Sequence, residues 1–140
     1  MTAKEYLKRA YDIEKRIKFK EQQLLSARDM AAKATGRVTA MRVSGTGSRS
    51  KVEEGGTSAV MLEDEIKRGY VELIEVKLEV TRTIAQVKDI RQRTLLEYRY
   101  LGYMEWAVIR WTMNYSHTRV MEMHREALQE VENIIKESTQ

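Results

Sequence analysis

Apolar and small side chains recur at alternating intervals of three and four residues over two long stretches of the chain. In residues 3–34 they are Tyr6, Ala10, Ile13, Ile17, Leu24, Ala27, Ala31 and Ala34. In residues 58–91 they are Leu62, Ile66, Gly69, Leu73, Val76, Val80, Thr83, Val87 and Ile90. This spacing is typical of a coiled-coil seam and predicts two long α-helices. Lys20 interrupts the first seam, so we expect a polar core position that sets the register.

The segment between the predicted helices, residues 35–57, differs in composition. It contains five of the seven glycines and many Ser and Thr residues, which predicts a flexible loop. Two heptad helices joined by a loop indicate a long antiparallel helical hairpin. The loop also carries four dispersed basic residues: Arg37, Arg42, Arg49 and Lys51. A plain linker is favoured over a basic arm that touches DNA phosphates.

A second apolar line widens the face of the second predicted helix and is formed by Tyr70, Ile74 and Ile84. A widened apolar stripe indicates packing against more than one neighbour. Because a lone two-helix hairpin buries little surface, we expect a homodimer with a helical-bundle core. Packing of the first helix within its own chain remains the alternative to a role in assembly.

The pattern changes near residue 92 and predicts a second part of the chain, residues 92–140, after a helical hairpin region at 1–91. Ile109 and Met113 lie one helical turn apart, and the break Asn114-Tyr115-Ser116 follows. Ser116 is a good N-cap, and apolar residues then return at helical spacing at Val120, Met123, Ala127 and Leu128. A short helix, a tight turn and a second helix predict a helix-turn-helix, the layout that presents a helix to the DNA major groove. The expected fold is therefore all-α.

The C-terminal part resembles region 4 of sigma-70-type factors. It is more closely similar to the RinA- and ArpU-like late-gene regulators of Gram-positive phages and prophages. The resemblance rests on Leu95, Leu96, Arg99, Tyr100, Leu101, Trp106, Ile109, Tyr115, Ser116, Val120, His124, Ala127 and Leu128. The opening MTAKEYLKRAYDIEKRI also looks like the start of those phage proteins. The resemblance implies a transcriptional regulator that binds double-stranded promoter DNA.

Spacing and resemblance together suggest which side chains of the second helix would meet DNA. Val120, Met123 and Ala127 are expected to face the core. The candidate DNA-binding residues are His117, Thr118, Arg119, Met121, Glu122 and Arg125. Thr118 and Met121 suit thymine methyl groups, while His117, Arg119 and Arg125 suit hydrogen bonds to bases or phosphates. Glu122 would accept a hydrogen bond from cytosine or repel the DNA backbone.

Two departures from the helix-turn-helix pattern support another function. Arg110 stands where a small residue is usual, and Asn114 replaces the turn glycine, although Asn tolerates the left-handed conformation. Residues 92–140 carry six basic and seven acidic groups, a net charge of −1 in a chain of net +4. DNA affinity comes largely from phosphate neutralisation. The alternative is therefore a non-enzymatic adaptor that binds RNA polymerase, a phage repressor or another phage or host protein.

Six of the ten aromatic residues lie between positions 98 and 115: Tyr98, Tyr100, Tyr103, Trp106, Trp111 and Tyr115. We interpret them mainly as the core of a small helical unit, because large side chains bury most area per residue. Stacking on nucleic-acid bases is the less favoured interpretation. Trp111 fits the family pattern least well and is a candidate interface residue.

Other chemistry has little support in the sequence. The absence of cysteine excludes disulfides and thiolate catalysis. His117 and His124 are seven residues apart without a carboxylate set to complete a metal site, and His124 is expected to be packed. Neither a secretory signal nor a membrane-spanning apolar run is present. We therefore expect a cytoplasmic protein that is not an enzyme and needs no cofactor or metal.

Overall fold

The structure is a computed structural model that describes the backbone of residues 1–40 and 46–139 and the side chains of residues 1–36 and 58–139. Its α-helices are α1 (Ala3–Ala40), α2 (Thr46–Ala85), α3 (Ile90–Leu96), α4 (Trp106–Met113) and α5 (His117–Ser138). A π-helical turn, Glu97–Leu101, follows α3 directly. The described residues contain no strand, so the expected all-α class is confirmed. Across these residues, no helix is both long and apolar enough to span a membrane.

Both long helices enter the segment 35–57 that the composition predicts to be a loop. Helix α1 reaches Ala40 and α2 begins at Thr46. Glycine lowers helix stability by only about 1 kcal/mol, and the chain has no proline to impose a sharper stop. Residues 41–45 lie outside the described part of the chain, as do the side chains of the predicted basic arm.

The predicted end of the second helix at residue 91 is wrong. Helix α2 ends at Ala85, and a new helix starts at Ile90. Asp89 causes this new start, because its Oδ1 accepts hydrogen bonds from the backbone N–H groups of Arg91 (2.8 Å) and Gln92 (3.1 Å). Such N-capping satisfies amides that have no partner inside the helix. The heptad pattern continues through Val87 and so conceals the break.

The described contacts divide the chain into two compact units, Met1–Ile13 with Leu73–Gln140, and Glu14–Glu72. The sequence-based boundary between residues 91 and 92 stays a prediction. In the first unit, a large core joins the beginning of α1, the end of α2, α3 with its π-helical turn, and α5. Its buried members are Ala3, Leu7, Val80, Ile84, Val87, Leu96, Tyr100, Ala127, Val131 and Ile134.

Polar contacts also hold the start of α1 against α2 in the first unit. The Tyr6 hydroxyl donates to Glu79 Oε1 at 2.9 Å and lies 3.0 Å from Thr83 Oγ1. Arg9 pairs with the same Glu79 carboxylate at 3.2 Å. These contacts fix the beginning of α1 beside the residues that support α5.

In the second unit, α1 and α2 approach closely at a glycine. A Cβ atom built on Gly69 would lie 2.9 Å from Ile17 Cγ1, so the contact requires the absence of a side chain. Ile17 and Ile66 are buried there. Lys20, the predicted polar seam position, is half-buried and pairs with Glu65 at 3.6 Å. Its charge is therefore compensated by the neighbouring helix.

Candidate functional site

The connection between α4 and α5 forms a tight turn with defined backbone geometry. Asn114 adopts the left-handed conformation with φ 58° and ψ 44°. The Tyr115 N–H donates to the Arg110 carbonyl at 3.1 Å, which closes the end of α4. Ser116 then caps α5, because its hydroxyl accepts a hydrogen bond from the Arg119 N–H at 3.2 Å. The roles expected for Asn114 and Ser116 are confirmed.

A second hydrophobic cluster holds α3, α4 and α5 together around this turn. It consists of the buried residues Leu95, Ile109, Val120 and Met123, with Tyr98, Met104, Trp106, Met113, Tyr115 and Met121 packed around them. Residues from all three helices interlock in this cluster, so the orientation of α5 relative to α4 is set by packing and by the turn together.

Helix α5 has one buried and one exposed side in its first three turns. Val120, Met123 and Ala127 are buried, as their spacing predicts. Five of the six candidate DNA-binding residues are exposed: His117, Thr118, Arg119, Glu122 and Arg125. The expectation for Met121 is wrong in part, since this side chain is half-buried against the second cluster. A flexible thioether side chain next to Val120 bends back into apolar surroundings.

The exposed side of α5 carries mixed charge. Arg119 Nη1 lies 3.9 Å from Glu122 Oε2, and both side chains are about half exposed. This ion pair partly occupies an arginine that would otherwise be available to an anionic ligand. Arg125 is exposed further along the same helix. The side therefore offers hydrogen-bond donors and one acceptor without a strong positive field.

A buried polar cluster lies beneath α5. The ring of His124 packs against Tyr100, with ring centroids 5.9 Å apart, and against Trp106 at 4.6 Å. His124 Nε2 is 2.7 Å from the Tyr100 hydroxyl. Burial lowers the pKa of His124 to about 4, and the charges of Lys4 and Arg99 act in the same direction. Burial also raises the pKa of Tyr100 to about 12. His124 is thus a neutral packing residue, as expected from the sequence.

Arg99 links this cluster to the start of α4. Its guanidinium lies 4.7 Å from the centre of the Trp106 ring, and its Nη1 donates to the Met104 carbonyl at 2.9 Å. Stacking of a guanidinium on an indole is favourable through the negative charge of the aromatic face. The aromatic residues Tyr100 and Trp106 therefore have structural contacts that account for their presence in this segment.

The outer side of α4 presents the largest exposed apolar side chain of the described residues. Trp111 is 85% exposed, and Val108 lies three residues before it with 47% exposure. Arg110 is half-buried, and its Nε has no hydrogen-bond partner among the described residues. Arg110, Trp111, Asn114 and Tyr115 line one shallow depression with Ala107 and Ser116. The side of α4 next to the turn is thus suited to a partner that covers an indole ring.

The sequence interpretation missed two residues at the start of α3. Arg91 and Gln92 line a second depression together with Arg119, Met123 and Glu126 of α5. Gln92 Nε2 lies 3.4 Å from Glu126 Oε2. The sequence feature that could have indicated this position is Asp89. It caps the start of α3 and so fixes Arg91 beside the exposed side of α5. Arg91 therefore extends the set of cations near Arg119.

The comparison with protein families finds a match over residues 33–132, 100 of the 140 residues, to a model described as "Protein of unknown function (DUF1492)". The chain belongs to the DUF1492 family. No curated protein and no solved structure matches it. The DUF1492 match extends into α5 and includes all six candidate DNA-binding residues, the turn and the buried His124 cluster.

The DUF1492 match leaves residues 1–32 outside it, including the start of α1 that packs in the core of the first unit. In the side chains that the structure describes, no group of three or more His, Asp or Glu residues is arranged to hold a metal ion. The candidate site of this DUF1492 chain is therefore a surface made of α5, the turn before it and the first residues of α3.

Proposed function

We propose that the protein is a phage or mobile-element transcriptional regulator that binds promoter DNA through a sigma-region-4-like helix-turn-helix. The observation that carries the proposal is the geometry of α4, the Asn114 turn and the capped helix α5. A helix with a buried apolar side and an exposed polar side at its first turns suits the DNA major groove. The exposed residues His117, Thr118, Arg119 and Arg125 supply the hydrogen-bonding groups that such binding uses.

In this proposal the exposed residues have different tasks. Thr118 and the accessible part of Met121 contact thymine methyl groups, and His117 and Arg119 donate to base edges. Arg125 and Arg91 neutralise phosphates on either side of the groove, which positions the helix without reading sequence. Glu122 discriminates by accepting a hydrogen bond from cytosine and by weakening binding elsewhere. RNA polymerase recruitment is the expected next step after promoter binding.

The proposal includes a homodimer held by an antiparallel coiled-coil hairpin formed by α1 and α2. Two copies of a short DNA-reading helix bind two half-sites, which multiplies the affinity of either one. This matters for a C-terminal part of net charge −1, whose attraction to phosphate is weak.

The test is selection of genomic fragments by the purified protein at about 150 mM salt, followed by sequencing of the bound pool. Enrichment of one or a few promoter-like sites with paired half-sites supports the proposal. Binding without enrichment that disappears as salt rises reflects phosphate attraction alone and argues against a regulator.

The second candidate function is a non-enzymatic adaptor in which the same unit binds a protein. Trp111 favours it, because an indole that is 85% exposed is typical of residues that anchor protein interfaces. Its test is binding to purified RNA polymerase from the source organism. Under this candidate, Trp111→Ala abolishes binding and Arg125→Ala leaves it unchanged. The reverse pattern, or an absence of binding, refutes RNA polymerase as the partner of the adaptor.

A further inference from the structure

In the unit formed by residues 14–72, most of the large apolar side chains that the structure describes lie in solvent. Ile17 and Ile66 are buried, and Leu24 and Leu62 are half-buried. Seven are between 44% and 70% exposed: Phe19, Leu25, Met30, Val60, Met61, Tyr70 and Val71. Single apolar residues on a surface are ordinary. A pair of helices that exposes more large apolar side chains than it buries lacks a sufficient hydrophobic core.

Part of this exposed set forms a face of α2 that is separate from the buried one. At 3.6 residues per turn, Val60 and Val71 point within about 20° of each other, and roughly 120–140° away from Ile66. The exposed residues Asp64 and Lys67 lie between the two valines on the same side of the helix. Val60 is 65% exposed and Val71 58% exposed, whereas Ile66 is buried. A helix with one buried apolar face and a second face that combines exposed valines with charged residues is suited to contact two neighbouring helices. The chain supplies α1 to the Ile66 side.

The charges of the two helices in this unit are complementary. Residues 14–36 of α1 carry six basic and three acidic groups, a net charge of +3. Residues 58–72 of α2 carry two basic and four acidic groups, a net charge of −2. Within one chain the helices already pair through Lys20 with Glu65 and through Arg28 with Glu63. Each helix therefore favours neighbours of the other kind.

We propose that a second copy of the chain covers the Val60–Val71 face, with α1 of one copy beside α2 of the other. Four helices arranged in this alternating order cover Val60 and Val71 and place each basic segment between acidic ones. The opposite arrangement, α1 beside α1, would bring two segments of net +3 together and is disfavoured. The inference deepens the homodimer of the proposed function, and it is tested below in the absence of DNA.

The first experiment is sedimentation velocity of the full-length chain with a matched pair of variants. At about 10 μM, wild type sediments as a species of about 33 kDa, twice the 16.4 kDa of one chain. Val71→Glu raises the dimer dissociation constant by at least about tenfold, because it places a carboxylate in the apolar contact. Val108→Glu is the control, since it makes the same change at an exposed valine of α4 and leaves assembly unchanged.

A single-chain species for wild type overturns the inference, and so do equal effects of the two variants. Circular dichroism is recorded for both, and Val60→Glu replaces Val71→Glu if helicity falls. If wild type is monomeric but still selects specific DNA fragments, the inference fails while the proposed function stands. If wild type is dimeric but selects no specific DNA fragments, the proposed function fails while the inference stands.

The second experiment tests the alternating order by reversing charges at exposed positions. One chain carries Arg16→Glu with Lys18→Glu in α1, and the other carries Asp64→Lys with Glu72→Lys in α2. Each variant alone places like-charged helices together and dimerises less than wild type, whereas their mixture restores opposite neighbours. The deciding result is dimerisation of the Arg16→Glu/Lys18→Glu chain alone, read by native mass spectrometry. The alternating order predicts weaker dimerisation than wild type, whereas two adjacent α1 helices, each changed from net +3 to −1, would repel each other less. Unchanged or stronger dimerisation of this variant refutes the alternating order.

Discussion

His124 makes the stability of the first unit sensitive to mild acid. The imidazole is buried against Tyr100 and Trp106, and burial lowers its pKa from 6.5 to about 4. Above pH 6.5 the ring is neutral in both the folded and the unfolded chain. As pH falls from about 6.5 to about 4, His124 binds a proton in the unfolded chain but stays neutral in the folded chain. The free energy of unfolding therefore decreases over this range.

The size of the loss follows from the difference in pKa. One unit corresponds to about 1.4 kcal/mol, so the fall from 6.5 to about 4 removes about 3 kcal/mol from the free energy of unfolding. That is a large part of the 5–15 kcal/mol that is typical of small proteins. Carboxylates titrate in the same range, so wild type must be compared with a variant that lacks this one group.

The assay is urea unfolding followed by far-ultraviolet circular dichroism at several pH values between 7.5 and 4.5. His124→Gln retains a hydrogen-bond acceptor for the Tyr100 hydroxyl and does not titrate, so its stability declines less steeply below pH 6.5. His117→Gln, an exposed histidine of the same helix, keeps the wild-type slope. If His124→Gln and wild type lose stability in parallel, the account of His124 as a buried neutral group is refuted.

Three further predictions concern the turn and the exposed side of α5. Asn114→Val lowers the free energy of unfolding by about 1–2 kcal/mol because φ is 58°, whereas Asn114→Gly causes no comparable loss; equal losses in urea unfolding contradict this. Ser116→Ala costs about 1 kcal/mol in the same assay and Ser116→Asp restores it; no loss with alanine means that the cap is unimportant. Glu122→Gln releases Arg119 and removes a negative charge, so affinity for a non-specific duplex rises about two- to tenfold at low salt in fluorescence anisotropy. The distal variant Glu137→Gln changes this affinity less, and an equal gain indicates that net charge alone is responsible.

The sequence was sufficient for features that depend on neighbouring residues. Ser116 caps α5 through a hydroxyl three residues before the amide that it binds, and Asn114 is suited to a left-handed turn. Both properties belong to the residue type and its local position. The buried side of α5 at Val120, Met123 and Ala127 likewise follows from helical spacing. These features define most of the candidate site.

Features that depend on distant residues or on competing signals were harder to predict. The end of α2 was missed because Val87 and Ile90 continue the heptad spacing, while Asp89 starts a new helix between them. The core of the first unit relies on Tyr6 meeting Glu79 and Thr83, residues more than 70 positions away. No local pattern encodes such a pairing.

The candidate site shows the same division between local and distant effects. Arg91 comes close to Arg119 only because α3 packs beside α5, so its position could not be inferred from spacing along the chain. Met121 differs from its predicted outward orientation because the second cluster offers its long side chain an apolar contact. Spacing identifies the side of a helix, whereas packing decides how far a flexible side chain follows it.

The most direct test of the central claim is DNA affinity of the double variant Arg119→Ala with Arg125→Ala, measured by fluorescence anisotropy on a selected fragment and on a scrambled duplex. The matched control, Lys4→Ala with Lys8→Ala, removes the same charge from exposed positions of α1 that lie outside the proposed dimer contact. The account predicts that the α5 variant binds both duplexes equally weakly and keeps its helicity, while the α1 control retains its preference for the selected fragment. Retained preference in the α5 variant would contradict sequence reading by α5.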